Sequence, residues 1–295
     1  MSAPATLPAP PPAPEATGER LGYACMLGSS AGFAVMGVFV KVASATVPFY
    51  EVAFFRAFGG LLVAVVGMAI ARVPFRPQQK LLLTWRGVLG WSSMMTYFLA
   101  VSWLPLPDAV LLNYTNPFFT ALLAAAILGE RLTARTLGCL AVAIAGVVLV
   151  VGPQGQVNGP GAAAALVSAF CAALAYVTVK QANATNTPTT IVVVFSLVGS
   201  VLCIPELLWR YVPPDPRTWG ALAAAAVFGT GAQLLMTYGY RLARASTASI
   251  LTLVTPLMAA LLSLAAFGQP LAPGTLAGGS LILGAGVVLF LRAGR

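Results

Sequence analysis

The chain carries one pattern twice. Lys41 recurs as Lys180, Asn113 and Asn116 before Pro117 recur as Thr252 and Thr255 before Pro256, and Gly129 recurs as Gly268, all at one constant offset. Past one inserted residue, the run Ala145 to Leu149 returns verbatim as Ala285 to Leu289. Each copy holds five long apolar segments, an odd number, so the second copy must enter a bilayer in the orientation opposite to the first. Many secondary transporters are built from inverted repeats of this kind.

Lipid is the solvent such a chain requires. With 59% hydrophobic and only 8% charged residues and a mean hydropathy of +0.90, there is too little polar surface to coat a soluble globule of this length. The predicted fold is therefore all-α and membrane-embedded, with ten transmembrane helices arranged as two inverted five-helix repeats. A helix needs ~20 apolar residues to cross a ~30 Å hydrocarbon core. The segments read as Leu21 to Val42, Phe49 to Ala71, Gly87 to Leu104, Asp108 to Leu128, Thr136 to Val151, Ala162 to Val179, Thr190 to Trp209, Thr218 to Leu242, Thr247 to Phe267 and Thr275 to Leu291. Turn residues such as Pro105, Pro107, Gly152-Pro153 and Gly268-Gln269-Pro270 connect them, leaving no room for a soluble domain. Residues 1–18 read as a disordered Pro/Ala-rich tail rather than a signal peptide, residues 19–153 as the first repeat and 154–295 as the second.

The net charge of +9 is explained by orientation, and nucleic acid is not an expected partner. If the N-terminus is cytoplasmic, the inner side receives Arg20, Arg72, Arg76, Lys80, Arg86, Arg131, Arg135, Lys180, Arg241, Arg244, Arg292 and Arg295, and the outer side only Arg210 and Arg217. Both termini should then be inside, in a bacterial-type inner membrane. Lys41 and Arg56 remain, and an intramembrane cation is by default a functional residue. Glu51 is the carboxylate nearest to them in sequence, and a link from Lys41 to Glu51 leaves Arg56 freer to face a cavity. Where the first repeat has Arg56 the second has Phe195, so the cavity is expected to be electrostatically asymmetric.

Asn113, Asn116, Pro117 and Thr120 share one face of the fourth span, where the proline leaves a carbonyl without its N–H partner. The asparagines either line a polar, kinked wall or tie helices together. Thr252 and Thr255 occupy the matching places before Pro256 and can bond back to their own helix. Tyr97, Tyr176, Gln233 and Tyr238 are further candidates for contact with an amphiphilic ligand, whereas Tyr240 and Trp103, near span ends, read as core or interfacial belt. Gly28 with Gly32, and Gly274 with Gly278, have the spacing of close helix contacts, read as packing within the bundle rather than dimerisation.

Enzyme chemistry lacks its parts. The chain has no histidine and no Asp-rich or glycine-rich phosphate motif, and Cys25, Cys139, Cys171 and Cys203 each sit alone in an apolar stretch, so neither metal nor cofactor is expected. The acids lie in the tail, in loops or at span ends.

Lys41 ending the first span, Phe55-Arg56 in the second, the Pro117 helix ending in Gly129-Glu130, and Ala145-Gly146-Val147 in the fifth carry a resemblance. With their repeats they resemble the drug/metabolite transporter superfamily, in particular its EamA-type exporters of ten helices, and among these the bacterial aromatic amino-acid exporters. The resemblance implies a central cavity lined by spans one to four and six to nine, with spans five and ten peripheral. It implies export of amino acids, aromatic ones included, or similar small amphiphilic metabolites by alternating access. Substrate-binding candidates are Arg56, Tyr97, Asn113, Asn116, Tyr176, Gln233 and Tyr238; gating or ion-pair candidates are Lys41, Glu51, Pro117 and Pro256. The second copy has Gly268-Gln269 where the family often has Gly-Glu, so Glu130 reads simply as a charge after a glycine helix stop. Export of drug-like or nucleoside compounds, and a non-transporting membrane subunit or channel, remain alternatives. Partners are a small-molecule substrate and the lipid bilayer; oligomeric state is open and a monomer fits.

Overall fold

The structure, a computed structural model, describes residues 16–155, 158–268 and 272–291. The first repeat comprises α1 (Ala16–Ala43), α2 (Phe49–Ile70), α3 (Lys80–Trp103), a broken span made of α4 (Leu106–Asn113) and α5 (Asn116–Leu128), and α6 (Ala134–Val151). The second comprises α7 (Gly159–Ala182), α8 (Pro188–Trp209), α9 (Pro216–Leu242), the broken span α10 (Ala245–Leu251) and α11 (Val254–Phe267), and α12 (Pro273–Leu291). These are ten spans in two inverted five-helix repeats, and the sequence offset carries the start of α2 onto that of α8, α4 onto α10 and α6 onto α12.

Among the described residues, nine of the ten spans are long and apolar enough to cross a membrane. The exception is α3, whose 24 residues suffice by length but include Lys80, Trp85, Arg86 and Trp91. It begins at Lys80, well before the expected Gly87, a difference that matters for Arg86. Residues 16–18, expected to close the tail, form the first turn of α1, and the rest of that tail, Gln269, Pro270, Arg292 and Arg295 lie outside the described residues.

Local chemistry sets the helix ends. The side chains of Thr133, Asn158, Thr187 and Asp215 each accept a backbone N–H from the first turn that follows, and Pro188 and Pro216 open their helices, where no N–H is needed. The Asp215 carboxyl, which takes the Thr218 N–H at 2.6 Å, is held below the usual carboxylate range by that bond. Gly129, Gly152 and Gly268 stop α5, α6 and α11 with φ of 68°, 59° and 64°, a conformation that L side chains resist.

Both broken spans break at proline. The kink expected at Pro117 is a full interruption, with α4 ending at Asn113 and α5 starting at Asn116. Pro117 has no N–H for the Asn113 carbonyl, and the Asn116 amide fills the gap, donating from Nδ2 at 2.9 Å. Pro256 sits in the first turn of α11 in the same way, with the Thr255 N–H donating to the Thr252 carbonyl at 3.0 Å.

Packing follows the pseudo-twofold. α1 lies on α9 as α7 lies on α3, and α2 lies on α8 across the centre. Gly28 and Gly32 face Leu235 and Ala232 of α9, so the small residues of α1 serve the bundle. α6 and α12 pack on each other, and a Cβ on Gly146 would come within 2.6 Å of the Gly278 carbonyl. The outer surface exposes Leu62, Val66, Leu122, Leu197, Val201, Leu283 and Val287, as lipid contact requires.

Candidate functional site

A cavity of about 100 Å³ lies between α2, α3, α8 and α9, the four helices at the junction of the two repeats. Its wall includes Arg56, Trp91, Met94, Phe195, Thr230 and Gln233. Arg56 projects from the second turn of α2, and its Nε donates to the Met36 thioether of α1 at 3.0 Å, a weak acceptor that leaves the charge uncompensated. Gly229 of α9 makes room for this arrangement, because a Cβ there would sit 2.8 Å from Met36 Sδ and 3.3 Å from Arg56 Nε. Gln233 is buried one turn further along α9.

Arg86 corrects the sequence reading. Assigned to the inner loop, it is buried in α3 at 3% exposure, with its guanidinium carbon 4.3 Å from the centre of the Phe195 ring and its Nε without a hydrogen-bond partner. Gly90, one turn along, provides the space: a Cβ there would lie 2.5 Å from Arg86 Nη1 and 2.8 Å from Phe195. The expected asymmetry is therefore reduced, since Phe195, which replaces Arg56 in the second repeat, is covered by a cation brought from the first. A signal was present, because Leu81, Leu82 and Leu83 extend the apolar pattern upstream of Trp85 and Gly90 stands four residues after Arg86.

Of the substrate-binding candidates, the cavity wall unites Arg56 and Gln233. Tyr176 stacks on Tyr240 at 5.4 Å between ring centres and lies within electrostatic range of both Arg56 and Arg86. Tyr240, read from sequence as core or interfacial belt, is fully buried in the core. Asn113 donates to Ser168 Oγ at 2.7 Å, and Ser168 in turn donates to the Ser93 carbonyl at 2.7 Å, which joins α4, α7 and α3. Asn116 is buried with Oδ1 unpaired. Tyr97 packs beside Phe98, and Tyr238 is 41% exposed, facing away from the core. Neither tyrosine nor either asparagine lines this cavity.

Of the gating candidates, Pro117 and Pro256 sit at the breaks within their spans, and Lys41 and Glu51 lie at one end of the bundle. Lys41 Nζ lies 4.4 Å above the Phe267 ring, and Glu51 takes the Val212 N–H of the α8–α9 connection with Oε1 while Oε2 accepts no hydrogen bond. At the opposite end Lys180 donates to the Ala243 carbonyl at 2.7 Å. Glu130 accepts the N–H groups of Ala245 and Ser246 at 2.7 and 3.0 Å and the Ser246 hydroxyl at 2.6 Å. Glu130, read from sequence as a bystander, thus holds the start of α10, and Lys180 the end of α9. At this end α5 packs on α10 and α7 on α9, whereas the symmetry-related pairs, α11 with α4 and α1 with α3, make at most marginal contact. The bundle is closed at the Glu130 end and looser at the Lys41 end.

Residues 20–152 and 159–292 each match the EamA-like transporter family. The chain belongs to that family. Among its relatives, the Pseudopaline exporter CntI of Pseudomonas aeruginosa is 36% identical over 211 residues, spanning 70% of this chain and 74% of that protein. An uncharacterized transporter of Archaeoglobus fulgidus is 29% identical over 278 residues, spanning 92% and 97%. A solved crystal structure with 21% identity superposes with a TM-score of 0.80 over 95% of this chain and 98% of its own, so the fold is shared. This EamA-family chain is a multi-span membrane transporter for a small molecule. Those relatives speak to family and transport, and the finer resemblance to amino-acid exporters concerns cargo.

Proposed function

We propose that this EamA-family protein exports amino acids, aromatic ones included, or similar small amphiphilic metabolites across a bacterial inner membrane by alternating access, with both termini cytoplasmic. The observation that supports this reading is Arg56 on the cavity wall without a carboxylate partner among the described residues. A cargo carboxylate fits that cation, the Gln233 and Thr230 oxygens suit an ammonium, and Trp91, Met94 and Phe195 suit an apolar side chain. At about 100 Å³ the cavity is smaller than the ~150 Å³ cavity that admits a benzene ring, so it must widen to load a cargo. The two proline-broken spans and the difference in closure between the ends support such a motion. Residues 19–153 and 154–295 would act as the two repeats that rock about the cavity.

The test is counterflow in proteoliposomes with a panel of amino acids, nucleosides and drug-like cations, with and without a pH gradient. Saturable exchange of amino acids is expected; a conductance without exchange would indicate a channel. A second reading, with pseudopaline or a compound like it as cargo, is supported by the 36% identity to a pseudopaline exporter. Pseudopaline in the same panel separates the two.

A further inference from the structure

The pseudo-twofold that relates the repeats carries Arg56 onto Phe195 and Gly229 onto Gly90. At the first place a guanidinium lies against Gly229; at the second, the guanidinium of Arg86 lies against Gly90 and over Phe195. The second repeat has no cation of its own there, and α3 of the first repeat supplies one. The junction therefore holds two arginines, one on each side of the symmetry axis: Arg56 on the cavity wall, and Arg86 against Gly90 and Phe195, which line the same cavity.

Among the described residues neither has a counter-ion: Glu19 bonds with Tyr23, Glu51 with Val212, Asp108 with Gly155, Glu130 with α10 and Asp215 with Thr218, and Glu206 is exposed near the end of α8, about three turns beyond Phe195. A buried arginine held against an aromatic face and a glycine retains most of its desolvation penalty, and a second like charge nearby adds to it. One cargo carboxylate compensates one of the two. Full compensation requires a cargo that brings two negative groups.

We infer that Arg86 is a second anion-binding residue of this cavity, reached when the Phe195 ring turns aside, and that the preferred cargo is an amphiphilic dicarboxylate, with one carboxylate on Arg56 and the other on Arg86. The inference rests on the proposed carriage of amino-acid-like cargo and adds its charge. Phe195 serves as a movable cover: it lines the cavity and simultaneously shields Arg86 from it. Trp91 and Met94 line the same space and suit an apolar body between the two charges.

The experiment compares two probes that differ by one carboxylate, phenylalanine and N-(carboxymethyl)phenylalanine, binding to the purified full chain in nanodiscs by calorimetry. The parent should bind the dicarboxylate about ten- to hundredfold more tightly, the effect of one added charge-assisted contact. Arg86→Gln should remove most of that preference, weakening the dicarboxylate far more than phenylalanine, whereas Arg56→Gln should weaken both. Phe195→Ala, which uncovers Arg86 without removing a charge, should raise dicarboxylate affinity selectively and so tests the idea even if Arg86→Gln fails to insert. Equal binding of both probes to the parent, or an unchanged preference in Arg86→Gln or Phe195→Ala, overturns the inference while leaving the amino-acid reading intact. Failure of the parent to bind either probe overturns both.

Discussion

The guanidinium of Arg86 lies over the ring of Phe195, 4.3 Å from its centre, and Phe195 is the residue that stands in the second repeat where the first has Arg56. Two helices from different repeats thus restore a charge that duplication alone did not retain. Cation–π contact contributes roughly 0.5–2 kcal/mol, well short of the several kcal/mol that burial of an ion costs. The site is built at the expense of stability.

Gly90→Ala tests this arrangement directly. The added methyl would collide with Arg86 Nη1 and the Phe195 ring, and overpacking of this kind costs about 1–3 kcal/mol. A lower melting temperature and reduced counterflow are expected, with Gly229→Ala acting similarly through Met36 and Arg56. Parent-like transport by both variants would show that the two cations have room to spare and are not held in place by these glycines.

Asn116→Ala should destabilise the chain by about 0.5–1.5 kcal/mol, because it removes the donor to the partly buried Asn113 carbonyl. Pro117→Ala should have the opposite local effect, supplying the missing N–H and allowing α4 and α5 to join. Exchange should slow more than substrate binding weakens. Measured separately, unchanged exchange in Pro117→Ala would make the break architectural.

Glu130→Ala removes an acceptor from three donors at the start of α10. Loss of a cap costs about 0.5–2 kcal/mol, enough to shift a two-state equilibrium up to about thirtyfold. The closed end should open more often, and a cysteine placed at the buried Thr247 should react faster with a thiol reagent. An unchanged labelling rate would mean that the Lys180 contact with Ala243 suffices to hold this end shut.

Cysteines near Gly155 and Pro214 should be labelled from outside intact cells and one at Gln78 should not. The basic-residue bias underlies this orientation. External labelling at Gln78 alone would reverse the topology and place the Glu130 end outside.

The duplication, the ten spans, the inverted arrangement and a bend at Pro117 and Pro256, though not the full interruptions there, were legible in the residues themselves, because each depends on hydrophobic length, on a missing N–H or on a glycine that accepts positive φ. These are local properties of a chain in lipid. Arg56 could be singled out for the same reason, since it lies well inside an apolar segment. For Arg86 the apolar run Leu81 to Leu83 was a hint that does not decide the matter: the same side chain is a cytoplasmic anchor or a buried cation depending on whether α3 begins at Gly87 or Lys80, and on whether Phe195, more than a hundred positions away, supplies a ring to cover it. Likewise, the amides of Asn113 and Asn116 satisfy the same chemistry facing a cargo, Ser168 or the Asn113 carbonyl, and Glu130 is an ordinary charge until α10 presents three donors to it. Backbone hydrogen bonding and apolar length act over a few residues and are written in order along the chain. The partner of a polar side chain is chosen by whichever helix arrives beside it, and only the tertiary structure decided that.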